Sequence, residues 1–108
     1  MFLFDAVRVN VLGEYGGIGL PLEGHLWQQG KNWGYVQFKN SDEVTAEYGK
    51  YANELKDMVK RGFSAAVYTQ TTDVEGEVNG LMTYDRKVIK INEKAVREAN
   101  QSVIRMLE

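Results

Sequence analysis

Apolar positions along this chain change period from one segment to the next, and each change predicts an element. Val7, Val9 and Val11 alternate with Arg8, Asn10 and Leu12, a period of two in β-branched residues that predicts a short strand ending at Gly13. Residues 14–40 hold no sustained period and read as a long loop. Ser41 then offers an N-cap with Asp42 and Glu43 in the first turn. Val44, Tyr48, Tyr51, Leu55, Met58 and Val59 follow at steps of three and four, as one face of an amphipathic helix requires. Lys60 and Arg61 sit at the negative end of that helix dipole, and Gly62 supplies the stop.

Residues 63–68, Phe-Ser-Ala-Ala-Val-Tyr, come next without alternation, which predicts a strand covered on both faces, as in a parallel sheet. Polar residues gather at its end: Thr69, Gln70, Thr71, Thr72 and Asp73. A second loop passes Gly76 and Asn79-Gly80, and residues 81–91 read as partly extended. Asn92 caps a last helix with Val96, Ala99, Val103 and Leu107 on one face.

The order strand, loop, helix, strand, loop, helix is that of two successive β/α units, the repeat of doubly wound sheets and of β/α barrels. Right-handed crossover would put both strand C-termini and both loops on one rim, so that Glu14 faces the segment 68–73. Two parallel strands rarely stand alone, because a parallel sheet needs both faces covered and normally more strands. The chain is therefore expected to be a single piece, residues 1–108 with no internal boundary, of something larger, or to complete itself by self-association.

Composition narrows the function classes. Charged residues make up 26% of the chain with a net charge of −2, a balance that offers no surface for nucleic acid. The absence of cysteine removes disulfides, thiolate nucleophiles and thiolate metal sites together, and leaves the redox compartment open. The opening Met1-Phe2-Leu3-Phe4 meets Asp5 and Arg8 at once, too short an apolar run for a signal peptide, and no later run reaches membrane-spanning length. Localisation stays undetermined, with an exported or periplasmic parent protein left open. Most of the 11 glycines fall between Gly13 and Gly34, in the stretch that also carries both tryptophans and the single histidine. Loops of that composition are where recognition groups concentrate.

At Val11-Leu12-Gly13-Glu14-Tyr15-Gly16-Gly17 the chain resembles the end of the seventh barrel strand of glycoside hydrolase family 2, the β-galactosidase and β-glucuronidase family. In that family a glutamate followed by an aromatic residue and glycine is the nucleophile. Residues 63–68 resemble the eighth strand, and Asn79-Gly80-Leu81-Met82-Thr83-Tyr84-Asp85-Arg86-Lys87 resembles the family's Gly-aliphatic-x-Thr-x-Asp-Arg-Lys segment. The resemblance implies an α/β fold that is a partial TIM (β/α)8 barrel, its last two β/α units, from a retaining β-glycosidase. It makes Glu14 the catalytic nucleophile, a role that suits the C-terminal end of a barrel strand. The chemistry needs two carboxyl groups and no cofactor or metal.

The same resemblance locates gaps. The family's acid/base glutamate lies in an Asn-Glu pair at the end of the fourth strand, whereas the Asn-Glu pairs here, Asn53-Glu54 and Asn92-Glu93, fall in a helix and at a helix start. An incomplete dyad implies an isolated chain that is inactive. Trp27 and Trp33 are candidate platforms for a pyranose ring or pins that hold the loop, and His25 is a candidate hydrogen-bond partner for a sugar or a donor within the loop. Tyr68 stands where many relatives have tryptophan, and Gln70, Thr71 and Asp73 are candidate hydroxyl contacts or strand-ending residues. Relatives specific for uronic acids carry Asn-x-Lys before the glycine matching Gly80; Glu77-Val78-Asn79 here implies a neutral sugar as carbohydrate partner. A non-catalytic carbohydrate-binding module and a self-associating fragment remain the alternatives.

Overall fold

A computed structural model describes residues 8–30 and 32–107. Val7, the first member of the alternating set, lies outside them. The elements run β1 (Asn10–Gly16), β2 (Ile18–Gly19), β3 (Val36–Gln37), α1 (Ser41–Lys60), β4 (Phe63–Thr69) and α2 (Glu93–Arg105). β1 and β4 pair in parallel, joined through α1, and β2 and β3 form a second short parallel pair. The fold is a small α/β arrangement in which α1 packs against α2, β4 and β2.

The register brings the C-terminal ends of the main strands together, with Tyr15 opposite Tyr68 and Gly16 opposite Thr69. This is the common rim that the order of elements implies. β1 runs past Gly13 to Gly16, so Glu14 lies inside the strand and not after it. The extension is irregular: Leu12 pairs with Ala66 and Tyr15 with Tyr68, which leaves an extra residue on β1 at Gly13-Glu14. A bulge of this kind bends the strand and re-aims a side chain, and alternation alone does not reveal it.

α1 starts one residue away from the expected cap. Asn40 is extended and its side chain accepts the Glu43 N–H at 2.9 Å, while Ser41 is already helical. Glu43 in turn accepts the Lys39 N–H, just before the cap, at 2.9 Å, so the cap and the residue preceding it are both tied to the first turn. Asparagine and serine cap about equally well, and here the last extended residue takes the position. Gly62, at a φ of 109°, ends the helix as its position implies. Asn92 caps α2 by accepting the Ala95 N–H at 3.0 Å.

The core corrects the picture of the first loop. Ile18 and Leu20, in the stretch without period, are 1% and 2% exposed and pack with Val44, Tyr48 and Val96. The segment that reads as a long recognition loop therefore begins by contributing to the core. Its backbone is paired as well: the Leu20 N–H donates to the Val78 carbonyl, and the Phe38 N–H to that of Gly19.

β4 departs most from expectation. Ser64, Ala65, Ala66 and Val67 are exposed, although their apolar, non-alternating pattern belongs to a strand covered on both faces. Among the described residues β1 and β4 have no further strand beside them. A radius of gyration of 15.0 Å, against about 13 Å for a compact domain of this length, reflects the same open slab. Residues 81–91 contribute isolated bridges, Met82 with Ile89 and Thr72 with Met82, in place of a full strand.

Candidate active site

Tyr15, Gly16 and Gly17 explain locally why the chain turns after Glu14. Gly16 and Gly17 have φ values of 112° and 74°, open to glycine and strained for other residues. A Cβ on Gly17 would lie 2.5 Å from the Tyr35 ring, and one on Gly16 would lie 2.6 Å from the Thr69 carbonyl oxygen. The two glycines thus let the end of β1 bend beneath Tyr35 and against the end of β4. The backbone closes the corner: the Gly17 N–H donates to Thr69 at 2.8 Å, and the Val36 N–H to Gly17 at 3.1 Å.

Glu14, Tyr15, Gly16, Gly17 and Tyr35 line a small cavity of about 200 Å³ at this corner. Glu14 is exposed and lies on the bulged part of β1. Trp33 does not line this cavity but lies behind its Tyr35 wall, the two rings meeting edge-on at a centroid distance of 5.7 Å. The Trp33 backbone is tied to the second loop, donating to Gly76 at 2.7 Å and accepting from Val78 at 2.7 Å. The side chain stays 47% exposed, so the pinning is done by the backbone and the indole is left facing outward. An exposed carboxylate sharing a cavity with the Tyr35 ring can supply a nucleophile or base to a polar ligand that carries an apolar face.

The other candidate residues sit elsewhere. Tyr68 turns toward the helical layer, with its ring 5.2 Å from Tyr15 and 5.0 Å from Tyr48, and it packs on the core. It does not line the Glu14 cavity. Burial pushes the Tyr15 phenol up to about 12 and raises that of Tyr68 as well, with the neighbouring tyrosines adding to both. Gln70 uses its amide within the fold, donating to Asn79 Oδ1 at 2.7 Å and to Glu77 Oε2 at 3.1 Å. Asn53 and Glu54 are inside α1, and Asn92 and Glu93 form the start of α2, so neither Asn-Glu pair reaches a strand end.

Asp73 is the clearest correction among the polar residues at the end of β4. It is 5% exposed and accepts from Lys90 Nζ at 2.7 Å and from the Gly80 N–H at 2.9 Å. Lys90, 1% exposed, also donates to the Val78 carbonyl at 3.0 Å. Asp73 is thus a buried brace of the second loop and not a sugar contact. The sequence hides this pairing because its members stand seventeen positions apart and a lone lysine in an extended segment reads as solvated.

His25 and Trp27 lie at a second place on the loops. His25 Nδ1 is 2.9 Å from Asp85 Oδ2, and Trp27 meets Tyr84 edge-on at 5.6 Å. Two adjacent residues of the second loop therefore hold two alternate residues of the first. Sequence reasoning missed Tyr35 and Asp85. Both carried a signal: Tyr35 stands in an aromatic cluster with Trp33, and Asp85 lies within the segment 79–87 already singled out. Among the described residues no group of three or more His, Asp or Glu is placed to hold a metal ion, and no helix is long and apolar enough to cross a membrane.

No family model matches this chain, and no curated protein matches it in sequence.

Proposed function

We propose that this chain forms units seven and eight of a (β/α)8 barrel in a retaining β-glycosidase of glycoside hydrolase family 2, β-galactosidase-like, with Glu14 as nucleophile. The observation that carries the reading is the placement of Glu14: an exposed carboxylate on a bulge near the C-terminal end of a parallel strand, sharing a cavity with Tyr35. Barrel enzymes hold their catalytic groups at that end of their strands. The Glu-Tyr-Gly-Gly motif fits as well, since its glycines make the bend that leaves the carboxylate standing at the corner. The exposed apolar β4 supports the larger assembly, because neighbouring barrel strands and their inward side chains would cover it.

In this reading Glu14 attacks the anomeric carbon of a neutral β-glycoside, and an acid/base glutamate from a strand outside this chain protonates the leaving oxygen and then activates water. The two carboxyl groups would stand roughly 5 Å apart. Tyr35, which lines the Glu14 cavity, and Trp33, edge-on to it, form the substrate platform. The chain by itself is inactive on this account and self-associates through the uncovered sheet, which a concentration-independent monomer mass would contradict.

The deciding experiment is to treat the active full-length enzyme with 2-deoxy-2-fluoro-β-galactosyl fluoride and map the adduct by peptide mass. The Glu14 carboxylate oxygen would displace fluoride at the anomeric carbon and form a stable ester, absent in Glu14→Gln. Label on another carboxylate of the active full-length enzyme overturns the assignment.

A further inference from the structure

Residues 83–88 build a support beneath His25. The Thr83 hydroxyl, on a side chain with 0% exposure, donates to Asp85 Oδ1 at 2.6 Å, and the Lys87 N–H donates to the same oxygen at 3.1 Å. Thr83 is itself held, its oxygen accepting the Val88 N–H at 3.2 Å. The remaining Asp85 oxygen, Oδ2, faces His25 Nδ1 at 2.9 Å. The Thr83 hydroxyl and the His25 ring hold the Asp85 carboxyl well below the usual carboxylate range. Asp85 is therefore an anion that can only accept, and Nδ1 must carry the proton. In the neutral ring this leaves Nε2 as a bare acceptor, and among the described residues it has no hydrogen-bond partner. The His25 side chain keeps 32% of its surface exposed.

The residues that flank the His25–Asp85 pair in the chain are aromatic and open, and they meet each other across the same two loops. Trp27, two residues on, is 60% exposed, and Tyr84, next to Asp85, is 38% exposed. The Trp27–Tyr84 edge contact fixes the indole through one ring, leaving most of its surface to solvent. A fixed acceptor and an exposed indole two positions apart, held by the adjacent Asp85 and Tyr84, suit a ligand with hydroxyls on its rim and C–H groups on its face, the chemistry of a pyranose.

We propose that His25, Trp27 and Tyr84 form a sugar-binding subsite distinct from the Glu14 corner, in which Asp85 is a positioning residue that fixes the His25 tautomer and aims Nε2 at a sugar hydroxyl. The inference rests on the carbohydrate reading of the rim but not on Glu14 being a nucleophile. It adds a contact for a second sugar unit of the substrate.

The chain holds a single histidine, so its imidazole nitrogens give unambiguous signals in long-range ¹H–¹⁵N spectra of the full chain. At pH 8 the wild type should show the Nδ1–H tautomer, with Nε2 at the position of an unprotonated nitrogen. In Asp85→Asn, whose amide can donate as well as accept, that bias should vanish. Methyl β-D-galactopyranoside and methyl β-D-glucopyranoside serve as probes. At least one should move both Nε2 and the Trp27 indole N–H signal, with affinity falling about tenfold in Asp85→Asn and in His25→Ala and lost in Trp27→Ala.

An Nε2–H tautomer in the wild type overturns the proposal, as does a sugar titration that leaves both signals still. Label on Glu14 with unmoved His25 and Trp27 signals sinks the subsite and spares the glycosidase reading. Moved signals with the label on another residue do the opposite.

Discussion

Lys90→Met should be among the most damaging single substitutions in the chain. Lys90 Nζ and Asp73 Oδ1 are 2.7 Å apart, with side chains 0% and 3% exposed. At an effective dielectric of about 20 the attraction at that distance is about 6 kcal/mol, and removing two ions from water opposes it by several kcal/mol each. Desolvation is the largest influence on both partners, raising the Asp73 carboxyl and lowering the Lys90 amine despite their mutual attraction. The intact pair is therefore close to neutral for stability, whereas a broken pair is not.

Methionine at position 90 preserves most of the volume and removes the charge. The Val78 carbonyl keeps a donor, the Leu20 N–H at 2.9 Å, so the loss falls on Asp73, left with the Gly80 N–H. A buried charge stripped of its partner costs about 3 to 5 kcal/mol. With a urea slope of about 1.5 kcal/mol/M, the unfolding midpoint followed by far-ultraviolet circular dichroism should fall by about 2 M or more. Adding Asp73→Asn removes the orphaned charge and keeps an acceptor for Gly80, so the double variant should recover at least half of the loss.

The pH dependence carries the same sign. The folded Asp73 carboxyl is raised above its ordinary value, so the native state takes up the proton before the unfolded chain does as pH falls. The defect of Lys90→Met should accordingly shrink on acidification through that raised value. A loss below about 1 kcal/mol at pH 7, or a double variant no better than the single, would refute the argument.

Other substitutions follow from the same structure. Tyr68→Phe removes a buried hydroxyl that lacks a hydrogen-bond partner among the described residues, and should stabilise by about 1 kcal/mol in a denaturant titration. Because the folded Tyr15 phenol is raised to about 12, its contribution to stability is complete below pH 10 and is lost as pH rises towards 12. Alkaline unfolding in that window should be reduced in Tyr15→Phe, and an unchanged profile would remove tyrosine ionisation as its cause. Gly80→Ala places a Cβ 2.3 Å from the Asp73 nitrogen and the Thr72 carbonyl carbon, both backbone atoms that cannot step aside. It should cost about 3 kcal/mol, the upper end of overpacking, and a melting temperature within a degree or two of wild type would show that the loop yields.

Much of the local structure follows from neighbouring residues alone. The three- and four-step spacing from Val44 to Val59, Gly62 after the last turn and Asn92 before α2 act over one or two turns of chain, and they produce the helices at those positions. β4 followed equally from its apolar run, and the parallel pairing from the alternation of strand and helix. The Glu-Tyr-Gly-Gly motif marked the corner at which a carboxylate stands beside the end of β4, because the need for glycine at a sharp bend is written in the chain itself.

Tertiary structure decided the rest, and in each case through partners distant in sequence. The bulge at Gly13-Glu14 exists only relative to the register of β4, some fifty positions away, so the alternation of valines placed the strand end too early. Ile18 and Leu20 belong to the core because Val44, Tyr48 and Val96 converge on them, although nothing periodic surrounds them. Asp73 read equally as a hydroxyl contact or a strand-ending residue, and its pairing with Lys90 is what buries it in the second loop. His25 acquired a defined tautomer only when Asp85 was brought across from the second loop. Periodicity reports which face of an element is apolar, a one-dimensional property. The environment of a lone charged group depends on which charge meets it in space, and that only the folded chain specifies.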